Sequence, residues 1–180
     1  ATRATSVGLL NLTSGTLGFW SDPVIGAVHE TVGGLGHVIA ALGGFRKIDF
    51  LPSGEIRSNP ITVGQERIED LQRHILLYFT GFSRIASVIV KEQLENIPKR
   101  KAELSSMHQM VDESVRILTR GDLREFGRLL DESWMLKRRL SSKISTAAID
   151  DIYAAAKSAG ALGGKLLGAG GGGFMILFAL

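Results

Sequence analysis

Apolar and polar positions change their spacing partway along this 180-residue chain. Residues 46–50 and 55–57 alternate, and Leu51-Pro52-Ser53-Gly54 between them supplies turn geometry, which predicts a β-hairpin. Residues 74–80 (HILLYFT) are rich in aromatic and branched side chains, the pattern of a short buried strand. From there apolar residues recur at three- and four-residue spacing. Ser83 can cap a helix over 84–96, stopped by Pro98. A second helix is expected over 99–119, with Leu104, Met107, Val111, Val115 and Leu118 on one face. Gly121-Asp122 interrupts it, and Asp122 can cap a third helix over 123–140. Thr146 can cap a fourth over 147–159, ending at Gly160. The apolar run 174–180 reads as a final strand.

This order of elements is α+β: a small antiparallel sheet of three or four strands backed by about four helices. Residues 1–44 are Gly-, Thr- and Ala-rich with little periodicity beyond 7–12, and are set apart as a remnant or rebuilt N-terminal segment from a domain over 45–180. There is no internal repeat. A chain that stops inside an apolar strand leaves a sheet edge at its terminus. The expectation is a piece truncated at both ends, or a chain that pairs with a partner, a homodimer through exposed sheet edges being one form of it.

The densest feature is 160–174, GALGGKLLGAGGGGF, with eight glycines in fifteen residues. Glycine loses more backbone entropy on folding than any other residue, so such a cluster needs a backbone reason. A loop that turns its amides toward an anion is one reason, and a tight structural turn is the other. A flexible linker would carry polar residues, whereas this stretch holds Leu162, Leu166, Leu167 and Ala169.

Composition narrows the field. A hydrophobic fraction of 44% is enough for a packed core. No apolar run reaches the length of a membrane span and no signal peptide is visible, so a cytoplasmic location without membrane association is expected. The absence of Cys removes disulfides, thiol nucleophiles and thiolate metal sites. The net charge is only +3, and the basic groups at 99–101 and 137–139 sit among Glu and Asp on helical faces, which argues against nucleic acid as a partner.

The segment GGKLLGAGGGG (163–173) resembles the third motif of the GHMP small-molecule kinases. LLYFTGFSRIAS (76–87), DESWMLKR (131–138) and LSSKIS (140–145) resemble segments of the heptose phosphate kinases in that family. The resemblance implies a cytoplasmic sugar kinase that moves the ATP γ-phosphoryl group to a heptose phosphate hydroxyl, with Mg²⁺. RATSVGLLN (3–11) resembles the helix that follows the family's PxxxGLGSSxA nucleotide loop, and that loop is not in this sequence. VGGLGHVIAA (32–41) stands where the family has Gly-x-x-Asp-Gln, with Gly36 at the Asp position. These departures predict that this chain alone is inactive as a kinase, and leave the catalytic residue unassigned.

Candidate phosphate ligands are the backbone of Gly168, Ala169, Gly170, Gly171, Gly172 and Gly173, with Lys165 as a nearby cation. Thr80, Gly81 and Arg84 form a plausible sugar-phosphate pocket, Arg84 otherwise being a surface residue beside an ordinary N-cap. Trp134, Lys137 and Arg138, at i, i+3 and i+4, share a helix face that can either stack on a sugar and pair with its phosphate or pack as core with a basic fringe. His29, Glu30 and His37 have no metal-ligand spacing, and no metal site is assigned. Two alternatives to a kinase stay open. One is a phosphate- or nucleotide-binding module without catalysis, weakened by Gly171→Val; the other is a repurposed hydrolase using Ser14 or His37.

Overall fold

The computed structural model describes residues 6–12, 15–19, 44–51, 53, 55–81 and 86–180. Four strands, β1 (Ser6–Leu12), β2 (Gly15–Phe19), β3 (Phe45–Phe50) and β4 (Ile56–Ile61), make one antiparallel sheet in the order β2-β1-β3-β4. The β3–β4 hairpin is the one its alternation predicts, with Leu51 N–H donating to the Glu55 carbonyl at 2.9 Å. Pro60 is tolerated in β4 because that strand is an edge and needs fewer amide donors.

Helix α1 (Gln65–His74) follows, and runs without a loop into β5 (Ile75–Phe79). Its polar composition hid it: only Leu71 of its side chains is buried, so the apolar period is a single position per turn at best. Then come α2 (Ala86–Asn96), a 3-10 turn at Ile97–Lys99, and α3 (Lys101–Arg120). Pro98 sits in that turn and separates two helices that would otherwise merge. Helix α4 (Leu123–Arg138) begins where the Asp122 carboxylate accepts the Arg124 N–H, and α5 (Ala147–Ser158) where the Thr146 hydroxyl accepts that of Ile149. Both expected caps are therefore in place.

A second antiparallel sheet, β5-β7-β6, is formed with β6 (Gly163–Leu166) and β7 (Phe174–Phe178). Strand β7 is central and its side chains alternate between two cores. Ile176 and Phe178 join Phe45, Leu71, Ile117, Phe126 and Leu130, whereas Met175 and Leu177 join Ile89, Met107, Trp134, Ile149 and Leu166. Helix α4 lies directly on β6 and β7, with no room for a Cβ at the crossing. A methyl on Gly163 would stand 2.0 Å from the Gly127 carbonyl oxygen, and one on Gly127 would stand 2.8 Å from the Phe178 ring.

The architecture is α+β, with five helices and two small antiparallel sheets among the described residues. Three expectations need correcting. Residues 6–12 form strand β1, paired with β2 and β3, where the resemblance of 3–11 implied a helix. Strand β5 is not buried: Leu76, Leu77, Tyr78 and Phe79 are each about half exposed, at 49–55%, because β5 is the edge of its sheet. Apolar content signals a strand but not what covers it. The glycine-rich stretch is also not one continuous loop, since its first part is the buried strand β6.

Candidate functional site

The glycines of 160–173 divide by task. Gly160 ends α5 with φ at 101°. Gly163 and Gly164 are flat strand residues that let α4 and β7 approach. Only Gly168, Gly170, Gly171, Gly172 and Gly173 form a turning segment, with φ of 69°, 119°, 74°, 149° and 99°, conformations that other residues adopt at a cost.

This loop, 167–173, is tied down from four places. The Lys137 ammonium, from α4, donates to the carbonyls of Leu166 at 3.1 Å and Gly168 at 2.5 Å. The Gln93 amide, from α2, donates to the Ala169 carbonyl at 2.9 Å. Thr80 follows β5; its N–H and its hydroxyl both donate to the Gly173 carbonyl, each at 2.9 Å, and its Oγ1 lies 3.1 Å from the Gly173 N. The Ile144 carbonyl, from the α4–α5 connection, accepts the Gly171 N–H at 2.8 Å. The connection is itself held to α2, because Glu92 accepts the N–H and hydroxyl of Ser142 and Asn96 donates to the Leu140 carbonyl.

The outcome is a polarity across the loop. The carbonyls of Gly168, Ala169 and Gly173 are engaged by the protein. Among the described residues the amides of Gly168, Ala169, Gly170 and Gly172 are not claimed by a hydrogen bond. A run of glycine amides left over in this way is the arrangement that backbone anion nests use.

The candidate side chains are distributed unevenly around it. Lys165 stands within β6 on the same face as Ile176 and Phe178, 1% exposed, with its Nζ 3.4 Å from the Ser133 hydroxyl. Burial, and then the charge of Lys137, holds it well below the usual lysine range. Lys137 is also buried, and burial with no carboxylate among the described residues to offset it lowers it to about 8. Trp134 is fully enclosed, with its ring toward Tyr153 at 6.2 Å and the Arg138 guanidinium 6.0 Å from its centroid. No face of the indole is open to a ligand. Arg138 pairs with Asp150 of α5 at 2.9 Å, and Asp150 also accepts from the Ser145 hydroxyl. The three residues expected to share one face thus separate, Lys137 going to the loop and Trp134 and Arg138 to the α4–α5 contact.

Thr80 reaches the site through Gly173, and Gly81 follows it with φ at 86°. Arg84, Ser83, Ser14, His29, Glu30, Gly36 and His37 lie outside the described residues. The sequence reading missed Gln93, Asn96 and Glu92. Their signal was available: two amides and a carboxylate at 92, 93 and 96, on the side of α2 that also carries the buried Ile89.

Residues 114–179 match the family described as GHMP kinases C terminal. The D-glycero-alpha-D-manno-heptose 7-phosphate kinase of Campylobacter jejuni is 31% identical over 142 residues, which are 77% of this chain and 42% of that protein. The chain thus spans about two fifths of that relative's length. Among solved structures, L. major mevalonate kinase in complex with R-mevalonate has the same fold over 76% of this chain and 40% of its own, at 22% identity and a TM-score of 0.64. A D-glycero-D-manno-heptose 1-phosphate kinase from Bacteriodes thetaiotaomicron aligns over 78% of this chain and 36% of its own, at 25% identity and a TM-score of 0.54. The glycine loop lies within the matched residues, between the two strands that α4 covers. Through this C-terminal domain the chain belongs to the GHMP kinase family.

Proposed function

We propose that the chain works in ATP-dependent phosphorylation of a heptose phosphate, and that its loop at 167–173 faces the anionic end of a bound substrate. The observation that carries this reading is the asymmetry of the loop: carbonyls held by Lys137, Gln93 and Thr80, and four amides that no hydrogen bond among the described residues claims. Family membership and the likeness to a heptose 7-phosphate kinase supply the substrate class.

Phosphoryl transfer is mostly positioning and charge stabilisation, and fixed backbone amides provide both without reorganising during the reaction. The amides of Gly168, Ala169, Gly170 and Gly172 would hold phosphate oxygens, and the glycines allow them to approach without a Cβ in the way. Nucleotide, when bound, supplies the phosphoryl group. Mg²⁺ would enter with the phosphates, whose oxygens it bridges in phosphoryl transfer. Lys137 holds the start of the loop from the protein side.

Calorimetric titration of the purified chain with Mg·ATP, and separately with heptose 7-phosphate, tests the reading. Saturable heat with either ligand is expected. No binding to either at millimolar concentration overturns it. A coupled assay for ADP then separates transfer from binding: affinity without turnover would make the chain a phosphate- or nucleotide-binding module.

A further inference from the structure

Lys137 is a buried charge on a helix that has every opportunity to carry an apolar residue. Its neighbours along the same face, Leu130, Ser133 and Trp134, are all buried. Removing an ammonium from water is costly, and a Met or Leu of similar volume would pack there without that cost. Among the described residues the ammonium's hydrogen-bond partners are the carbonyls of Leu166 and Gly168.

Those two carbonyls mark the point at which β6 stops and the loop begins. Leu166 is the last residue of the strand, and Gly168 is the first residue with positive φ. One ammonium bridging them holds both oxygens toward the same point inside the protein. The chain between them is fixed on its other side, because the Leu167 N–H donates to the Phe174 carbonyl at 2.8 Å. The direction in which the loop leaves the sheet is therefore set by a cation bond on one side and a ladder bond on the other. With the carbonyl of Gly168 held by Lys137, the Ala169 N–H of the same planar peptide points the opposite way.

We propose that Lys137 is the positioning residue of the glycine loop: its ammonium gathers the Leu166 and Gly168 carbonyls and thereby leaves the amides of Gly168, Ala169, Gly170 and Gly172 for an anion. The inference rests on the anion-binding reading above, but makes a separate claim about the ligand-free protein. Gln93 and Thr80 act at Ala169 and Gly173, farther along the loop, and with neutral groups. From β6 the charged neighbour of Lys137 is Lys165; α2 contributes the neutral Gln93.

The test compares wild type with Lys137→Met, which keeps the length and removes the charge. Carbonyl-carbon NMR shifts of Leu166 and Gly168, and exchange protection of the Gly171 amide, report the loop without any ligand. Calorimetry with Mg·ATP reports the site. The expected result is a folded variant in which both carbonyl signals move, Gly171 protection falls at least tenfold, and Mg·ATP affinity falls at least tenfold. A folded variant with wild-type loop signals overturns the proposal. If the loop signals move but neither protein binds Mg·ATP, the positioning role stands and the anion reading fails. Wild type provides the same test if the variant does not fold. Raising the pH through about 8 deprotonates Lys137, and the two carbonyl signals should follow it in one step. Signals that stay constant across that step overturn the proposal.

Discussion

At the residue scale the decisive feature is a lysine that the sequence presents as a surface cation. Lys137 lies in a basic triplet with Arg138 and Arg139, and nothing local distinguishes it from them. Its burial is a consequence of where α4 lands on β6, which is a tertiary fact. The same holds for the glycines: a run of eight reads as one loop, whereas packing against Gly127 and Asp131 claims Gly163 for a strand. Burial of Lys137 also has a thermodynamic signature. Its folded-state value is about 8 against 10.5 for a free lysine. Below about pH 8 the folded and unfolded chains both carry the proton, and the cost of the buried charge is constant. Between about 8 and 10.5 the folded chain has released a proton that the unfolded chain still holds, so stability rises with pH. The gain amounts to at most about 3 kcal/mol. Lys165, also depressed by burial and by the charge of Lys137, adds a rise of the same sign. Urea unfolding at pH 7, 9 and 10.5 should therefore show wild type gaining on Lys137→Met across the upper interval, and parallel stabilities would contradict the buried charge.

Elements were legible where their signals are local. Helices α3, α4 and α5 carry apolar periodicity over several turns, and Asp122 and Thr146 mark two of their starts. Helix α1 was not legible, being short, polar and fused to β5. Strand β6 was not legible either, because Gly-Gly-Lys-Leu has little intrinsic preference for a strand and is made one by pairing with β7 under α4. Helix α1 nevertheless has a defined role. The Arg67 guanidinium donates to the carbonyls of Leu118 at 2.6 Å, Ile117 at 2.5 Å and Gly121, closing the C-terminal end of α3. These are the carbonyls that a helix end leaves without internal partners, and a cation there also meets the negative end of the helix dipole. Arg67→Ala should lower stability by about 1–3 kcal/mol in chemical denaturation, with Arg67→Lys recovering only part of it. A loss below about 0.5 kcal/mol would mean that water caps α3 equally well.

At the scale of the whole molecule, the candidate site is a meeting point rather than a segment. Thr80, Gln93, Lys137 and Ile144 come from four different parts of the chain and converge on seven loop residues. The glycine motif itself was visible in the sequence; Thr80 and Lys137 stood out only as candidate substrate ligands, and nothing local joined Gln93 or Ile144 to the motif. Convergence has a physical consequence for stability. The loop joins β6 to β7, and β7 contributes to both apolar clusters, so opening the loop strains both cores at once. A ligand held by the loop should then stabilise the entire fold and not merely the loop. With Mg·ATP at about one hundred times its dissociation constant, mass action supplies about 2.7 kcal/mol. For a chain of this size that corresponds to a rise in Tm of roughly 5–10 °C. Lys137→Met, binding about tenfold more weakly, should gain only about half as much at the same ligand concentration. The opposite outcome is equally informative. Binding heat with no movement of Tm would mean that the loop unfolds as an independent unit ahead of the core, and that its four ties act locally.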